Sequence, residues 1–170
     1  MIIMVIFGFY TVPSGSMEPT LHVGDTFIGV RRVAGLPSLH RGDVIVFKDD
    51  AGWMNGEPSQ GERLVKRLIG LPGDTVSSTD GLNLYVNGHL IHEPQIKTSA
   101  DGRIVFNVKV TSGHLFVLGD NRGNSSDSRY HLTEHHGLIR ESSVEAILLL
   151  RIRPVTNITT VKGLHDVYEQ

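Results

Sequence analysis

The apolar residues of this chain come in short runs, and that pattern constrains its fold more than any single motif does. Thr26-Phe27-Ile28-Gly29-Val30, Val44-Ile45-Val46-Phe47, Leu64 to Ile69 and Val144 to Leu150 each have the length of a strand, and few long helical patterns occur between them. Leu82 to His92 contains two further short runs about Asn87-Gly88, the strongest local hairpin signal in the sequence. Ile104–Val110 and His114–Leu118 are expected to follow as another strand pair. Val144 to Leu150 is expected to close the fold, with Arg151 and Arg153 marking its emergence into solvent. The 19 glycines supply turns between these runs, so the fold class expected is all-β. A length of 170 residues suits one domain, or one domain with a sizeable insertion. Residues 77–113 have the character of such an insertion, with nothing catalytic in it.

Composition narrows the function. A formal net charge of -2 leaves no basic stripe for nucleic acid, so no nucleic-acid partner is expected. The absence of cysteine excludes disulfides, thiolate metal sites and a cysteine nucleophile, but leaves the redox compartment open. Met1 to Tyr10 carries no charge, yet its ten residues are half of the ~20 that a membrane-spanning helix needs. It also lacks the positive start and small-residue cleavage site of a secretory signal. Two readings stand for it, a buried first strand or the outer half of a membrane anchor.

Chemistry enters at Pro13-Ser14-Gly15-Ser16-Met17-Glu18-Pro19-Thr20-Leu21. Gly15 removes bulk beside Ser16, and Pro19 stops a helix from forming early, so the Ser16 hydroxyl is expected on a bent, open segment. Ser-Gly-Ser is also a common plain turn. A serine becomes a nucleophile only when a base takes its proton. Alternation in Leu64 to Ile69 puts Lys66 and Leu68 on one strand face and Val65, Arg67 and Ile69 on the other. One of the two adjacent cations can then face the interior, where loss of water lowers a lysine pKa and makes it a usable base. The alternative is a Lys66 that snorkels to solvent. Asp49 to Arg63 is expected as a surface loop, and Arg41-Gly42-Asp43 as a turn. Gly119 to Arg129 is dense in groups that bond to backbone and to each other, and such a loop can hold a catalytic group in place. His131, His135 and His136 raise the question of a metal, but no Glu follows His131 and no Cys is available, so solvated histidines are expected. A histidine base in a Ser-His-Asp triad stays possible.

Taken together, these blocks resemble bacterial type I signal peptidase, the membrane-bound serine protease that removes signal peptides from exported proteins. Pro13 to Leu21 is similar to the family's nucleophile block, Arg41-Gly-Asp-Val-Ile-Val-Phe47 to its next strand, Lys66-Arg-Leu-Ile-Gly-Leu-Pro-Gly-Asp74 to its lysine block, and Gly119 to Arg129 to its final block. They occur in the family's order and thread most of the chain. The resemblance implies Ser16 as nucleophile and Lys66 as general base. Ser14 would supply an oxyanion donor beside the Ser16 backbone N–H, and Ser125 would orient the Lys66 ammonium. Asp120, Asp127 and Arg129 would brace the site. Val12, Met17, Leu21, Leu64 and Val65 match positions that line the family's shallow apolar cleft.

The implied fold is that of signal peptidases and the related self-cleaving repressors, two antiparallel β units. Residues 11–76 and 114–154 would form the catalytic β domain, 77–113 the small insertion, 1–10 the remnant of an anchor and 155–170 a tail. No cofactor or metal is implied. The implied partners are signal peptides of secreted preproteins, cut after a small residue at an Ala-x-Ala site, and membrane lipid. The implied location is the cell membrane, with the catalytic domain on the extracytoplasmic side. Two rivals remain: a cytosolic self-cleaving Ser/Lys repressor-type protease, and a catalytically silent β module that binds peptides by strand addition.

Overall fold

The computed structural model describes residues 6–35, 37–54, 61–94, 96, 102–133 and 137–161. Among them the chain runs through β1 (Phe7–Thr11), β2 (Thr26–Arg31), β3 (Val44–Lys48), β4 (Arg63–Gly70), β5 (Thr75–Ser78), β6 (Leu84–Val86), β7 (His89–Ile91), β8 (Phe106–Lys109), β9 (His114–Leu118), β10 (Ile139–Arg140), β11 (Val144–Arg153) and β12 (Thr159–Thr160). The larger sheet has the order β1-β2-β11-β3-β4-β9-β10, with β12 on β11; the smaller has the order β7-β6-β5-β8. Every pairing is antiparallel. The fold is all-β.

Burial on both faces explains why β3 reads as an unbroken apolar run. Alternate side chains leave opposite faces of a strand. Val44 and Val46 therefore enter one core cluster with Val12, Met17, Leu21 and Phe27, while Ile45 and Phe47 enter another with Trp53, Leu64 and Leu68. A third cluster joins the two sheets, since Ile69, Phe116 and Leu118 of the larger sheet pack with Val76, Val86 and Phe106 of the smaller. Gly70 stands at that junction. A Cβ built there would lie 2.6 Å from Val76 Cγ2 and 2.9 Å from Val110 Cγ2, so close approach of the sheets requires a glycine.

The Asn87-Gly88 hairpin forms as expected, with Val86 opposite His89 and both turn residues at positive φ (53° and 82°), the backbone that a two-residue hairpin turn demands. Other expectations are corrected. Ile104–Val110 and His114–Leu118 do not pair. β8 lies on β5 and β9 lies on β4, so the intervening turn carries the chain from one sheet to the other. Val144 to Leu150 is part of a ten-residue strand in the interior of the sheet, between β2 and β3, rather than a closing edge. Arg151 does not emerge into solvent there: it is held in the strand, with Nη1 donating to Asp25 at 3.2 Å.

The stretch expected as a surface loop after Asp49 folds inward at Trp53, which is buried because the Asp49 carboxylate accepts from the Trp53 and Met54 N–H groups at 2.8 and 2.9 Å. Two sequence-drawn boundaries cut strands. Residues 7–10 belong to β1, paired with β2 from Phe7–Val30 to Thr11–Thr26, and position 77 falls inside β5. β1 is an edge strand and not a buried one, for Phe7 and Phe9 are 54% and 73% exposed. No helix among the described residues is long and apolar enough to cross a membrane.

Candidate active site

Ser16 sits in a single 3-10 turn, Gly15–Met17, that follows the extended Ser14. The turn is fixed from beneath, because Met17 and Leu21 on either side of Pro19 are fully buried in the core and the Leu21 N–H donates to the Met17 carbonyl at 2.9 Å. Ser16 itself is 8% exposed. Its Oγ accepts a hydrogen bond from Lys66 Nζ at 2.8 Å, and the more exposed Ser14 donates from Oγ to Ser16 Oγ at 3.4 Å.

Lys66 does not snorkel. Only 3% of it is exposed, although it shares a strand face with Leu64 and Leu68. Burial is the strongest influence on its ammonium and lowers the pKa from 10.5 to about 8, with the Asp127 carboxylate opposing the shift and the Arg129 guanidinium adding to it. The second cation is buried too. Arg67 is 1% exposed, its Nε and Nη2 forking onto Asp120 at 2.8 and 2.6 Å while Nη1 donates to the Gly42 carbonyl at 2.7 Å. An arginine remains charged at every attainable pH, so only a buried carboxylate can make that position tolerable.

The Gly119–Arg129 loop closes over this pair. Asp120 accepts from Thr20 Oγ1 at 2.5 Å as well as from Arg67, which ties the loop to the Ser16 segment and to β4 at once. Asn121 clamps the Gly15–Met17 turn: its N–H donates to the Ser16 carbonyl and its Nδ2 to the Gly15 carbonyl, both at 3.0 Å. Gly119 is a glycine by necessity, since a Cβ there would lie 2.2 Å from Ser125 Oγ and 2.6 Å from the Ser16 carbonyl oxygen.

Deeper in the loop, Asp127 accepts from the Gly119 N–H at 3.0 Å and from Arg129 Nε and Nη2 at 2.9 and 2.8 Å. Burial alone would raise the Asp127 carboxyl, but the Arg129 guanidinium and the Gly119 N–H outweigh it and hold the group below the ordinary carboxylate range. Ser125 Oγ is buried beside this carboxylate, close enough to help lower the Asp127 carboxyl, and no hydrogen bond joins it to Lys66.

The structure thus brings Ser14, Ser16, Lys66, Ser125, Asp120, Asp127 and Arg129 to one place. Three contributors were not singled out by sequence reasoning: Arg67, Thr20 and Asn121. Arg67 cannot serve as a base, which hides its part in the site, and Thr20 and Asn121 act through contacts about a hundred residues apart, which no local pattern signals. Of the residues expected to line a cleft, Val12, Met17, Leu21 and Leu64 are buried in the core. Val65 lies on the wall of a groove of about 800 Å³ that also meets Tyr10, Thr11, Pro13, Val46 and Arg63. Pro13 and Val65 place one end of it beside the Ser16 and Lys66 segments.

His131 is not simply solvated. It stacks in parallel on Trp53 at 4.7 Å between centroids and is hydrogen-bonded to Ser126 Oγ at 2.9 Å. His135 and His136 lie outside the described residues, and among the described residues no cluster of side chains is arranged to hold a metal.

The family model described as "Signal peptidase, peptidase S26" matches residues 1–152. Signal peptidase I T of Bacillus subtilis is 40% identical over 148 residues, which cover 82% of this chain and 70% of that protein. Signal peptidase I of Bacillus licheniformis is 36% identical over 133 residues, covering 73% of this chain and 67% of that one. A crystal structure of a signal peptidase I from Enterococcus faecalis V583 is 34% identical, covers 65% of this chain and 97% of its own, and aligns with a TM-score of 0.49.

A buried lysine that binds its proton less tightly folded than unfolded weakens the fold at any pH below its folded pKa. As pH rises from about 8 toward 10.5, the folded chain holds fewer protons than the unfolded one, so stability should increase across that window. Lys66→Met should therefore be more stable than the parent chain at pH 7, by about 1–3 kcal/mol, with the difference shrinking toward pH 10.5. Urea unfolding of both proteins at the two pH values is the check, and a Lys66→Met chain less stable at pH 7 would show that the ammonium is not held at a cost.

Proposed function

The chain belongs to the signal peptidase family, peptidase S26, and is a serine endopeptidase of that family; on that premise we propose that Ser16 and Lys66 form its catalytic dyad and that it cuts signal peptides after a small residue at an Ala-x-Ala site. The observation that supports this most is the 2.8 Å bond from Lys66 Nζ to Ser16 Oγ at a place where both residues are buried.

The chemistry follows from that geometry. Neutral Lys66 takes the Ser16 proton as Oγ attacks the scissile carbonyl, and the resulting ammonium returns the proton to the leaving amine. Water then hydrolyses the acyl-enzyme with Lys66 again as base. Ser14 Oγ, which already points to Ser16 Oγ, and the Ser16 N–H are assigned to the oxyanion. Ser125 is assigned to accept from the transient Lys66 ammonium, its buried hydroxyl lying beside Asp127. Asp127, Arg129 and Asp120 hold the loop that carries these groups. The substrate lies in the groove as an added strand between the edge of β1 and residues 63–66 of β4, against Val65. Val12, Met17 and Leu21 pack behind Val65, and Leu64 fixes the strand from the other face.

Ser16→Ala should abolish cleavage of a signal-peptide substrate while leaving the fold intact. Lys66→Arg should be as inactive as Lys66→Ala, because a guanidinium cannot be deprotonated. Ser14→Ala should lower kcat by about 10²- to 10³-fold with a smaller effect on KM. Product mass spectrometry and steady-state kinetics read all three, and wild-type turnover by Lys66→Arg would remove Lys66 from the role of base.

Membrane contact is assigned to the start of the described chain, where Ile6, just before β1, and Phe7 and Phe9 on that edge strand are 50%, 54% and 73% exposed. The protein should float with liposomes, and Phe7→Ser/Phe9→Ser should reduce the floated fraction. Equal recovery of both proteins would place the membrane contact elsewhere.

A further inference from the structure

The smaller sheet has no part in the chemistry assigned above, yet its connections reach the catalytic loop at two points. Glu93, just after β7, receives Arg122 Nη2 on both carboxylate oxygens at 2.6 and 2.7 Å, with the two side chains 7% and 8% exposed. The same Arg122 donates from Nε to the carbonyl of Gly119, the glycine pressed against Ser16 and Ser125. Gly102, ahead of β8, accepts from Arg129 Nη1 at 2.7 Å, and Arg129 Nη2 in turn donates to the Arg122 carbonyl at 2.9 Å. A Cβ on Gly102 would lie 2.5 Å from the Arg122 carbonyl oxygen and 2.9 Å from the Gly123 nitrogen, so the two backbones are in direct contact.

We propose that Glu93 and Gly102 are positioning residues of the peptidase reaction, holding the Gly119–Arg129 loop from the side away from the substrate so that it closes water out of the Ser16–Lys66 pair. The physical case is one of constraint. Residues 119–129 have no regular secondary structure beyond the single turn Ser128–Tyr130, and the two arginines that organise the loop would have buried, unopposed charge without partners. Asp127 partners Arg129 from within the loop. Arg122 finds its carboxylate in the smaller sheet's connection, so the loop is completed by a residue almost thirty positions away. The smaller sheet is itself pinned at its base, where Asp74 receives the Arg41 guanidinium at 2.7 Å on each oxygen and Asn87 Nδ2 at 2.9 Å. Glu93 is therefore carried on a unit fixed to the larger sheet at one end and to the catalytic loop at the other.

This inference rests on the assignment of Ser16 and Lys66, and its test separates the two. Glu93→Gln keeps the side-chain shape and removes the charge that holds Arg122. Gly102→Ala leaves every charge in place and forces the backbones apart. Each should lower kcat on a signal-peptide substrate by about ten- to a hundredfold, the scale of a ~1 Å misplacement of catalytic groups, with KM within about twofold. The acid limb of kcat should also move. The charged groups set on Lys66 are Asp127 and Arg129, both in this loop, and burial is the larger influence. Admitting water should raise the midpoint from about 8 toward 10.5. A role confined to stability would lower the melting temperature and leave the midpoint unchanged.

Leu90→Ser, exposed on β7, serves as the control in the same sheet and should match the parent in kcat and midpoint. Unchanged kcat and midpoint in Glu93→Gln and Gly102→Ala would overturn the proposal. Should one variant fail to give a cooperative melt, the other decides. Activity retained by Ser16→Ala would instead overturn the dyad and leave the loop contacts to be judged by hydrogen exchange, where unaltered loop protection in Glu93→Gln would still contradict the brace.

Discussion

The dyad proposed for this chain depends on a single short hydrogen bond, that from Lys66 Nζ to Ser16 Oγ at 2.8 Å. Neither partner is remarkable as a residue type. In the proposed dyad, reactivity would come from the exclusion of water, which penalises an ammonium and favours a free amine. Maintaining that exclusion is demanding, because the amine sits next in sequence to a permanent cation. The fold answers by giving Arg67 its own carboxylate, Asp120, and by using the same carboxylate to anchor Thr20 on the nucleophile segment. One ion pair thereby links the lysine strand, the serine turn and the covering loop.

The arrangement is costly in the ordinary sense of protein stability. Lys66, Arg67, Asp120, Asp127 and Arg129 are all at most 4% exposed, and burying ion pairs is seldom better than burying apolar side chains of the same volume. Such a cluster is tolerated because the surrounding antiparallel sheets are thoroughly packed: β3 contributes to clusters on both of its faces, and a third cluster joins the two sheets. Stability supplied by the sheets is spent at the site. On the proposal made for Glu93 and Gly102, the smaller sheet shares in that support.

Much of the fold was legible in local pattern. Short alternating runs announced the strands, and Asn87-Gly88 announced its hairpin because only a few residues accept the backbone of that turn. Strand order was not legible. β8 and β9 follow one another across a turn signal, as a hairpin would, but which sheet edge each one meets is decided by packing of Val108 and Phe116 in the shared core. β11 looked like an end because it comes late in the chain, whereas its neighbours are β2 and β3. At the site, the Ser16 and Lys66 blocks stood out through resemblance to a known family. The burial of both cations did not, since charge in a strand ordinarily means exposure, and neither did the grip of Asn121 on the carbonyls of Gly15 and Ser16.

The claim on which the account turns is the protonation state of one amine, and it can be observed without any substrate. Lysine labelled at its terminal carbon and nitrogen reports its own ionisation by NMR, with the Lys66 resonance identified by its loss in the Lys66→Met chain. A midpoint near 8 is predicted for Lys66, well below the ordinary lysine value of about 10.4. A Lys66 midpoint at the ordinary lysine value of about 10.4 would contradict the claim, because a fully charged ammonium at neutral pH cannot take the proton of Ser16.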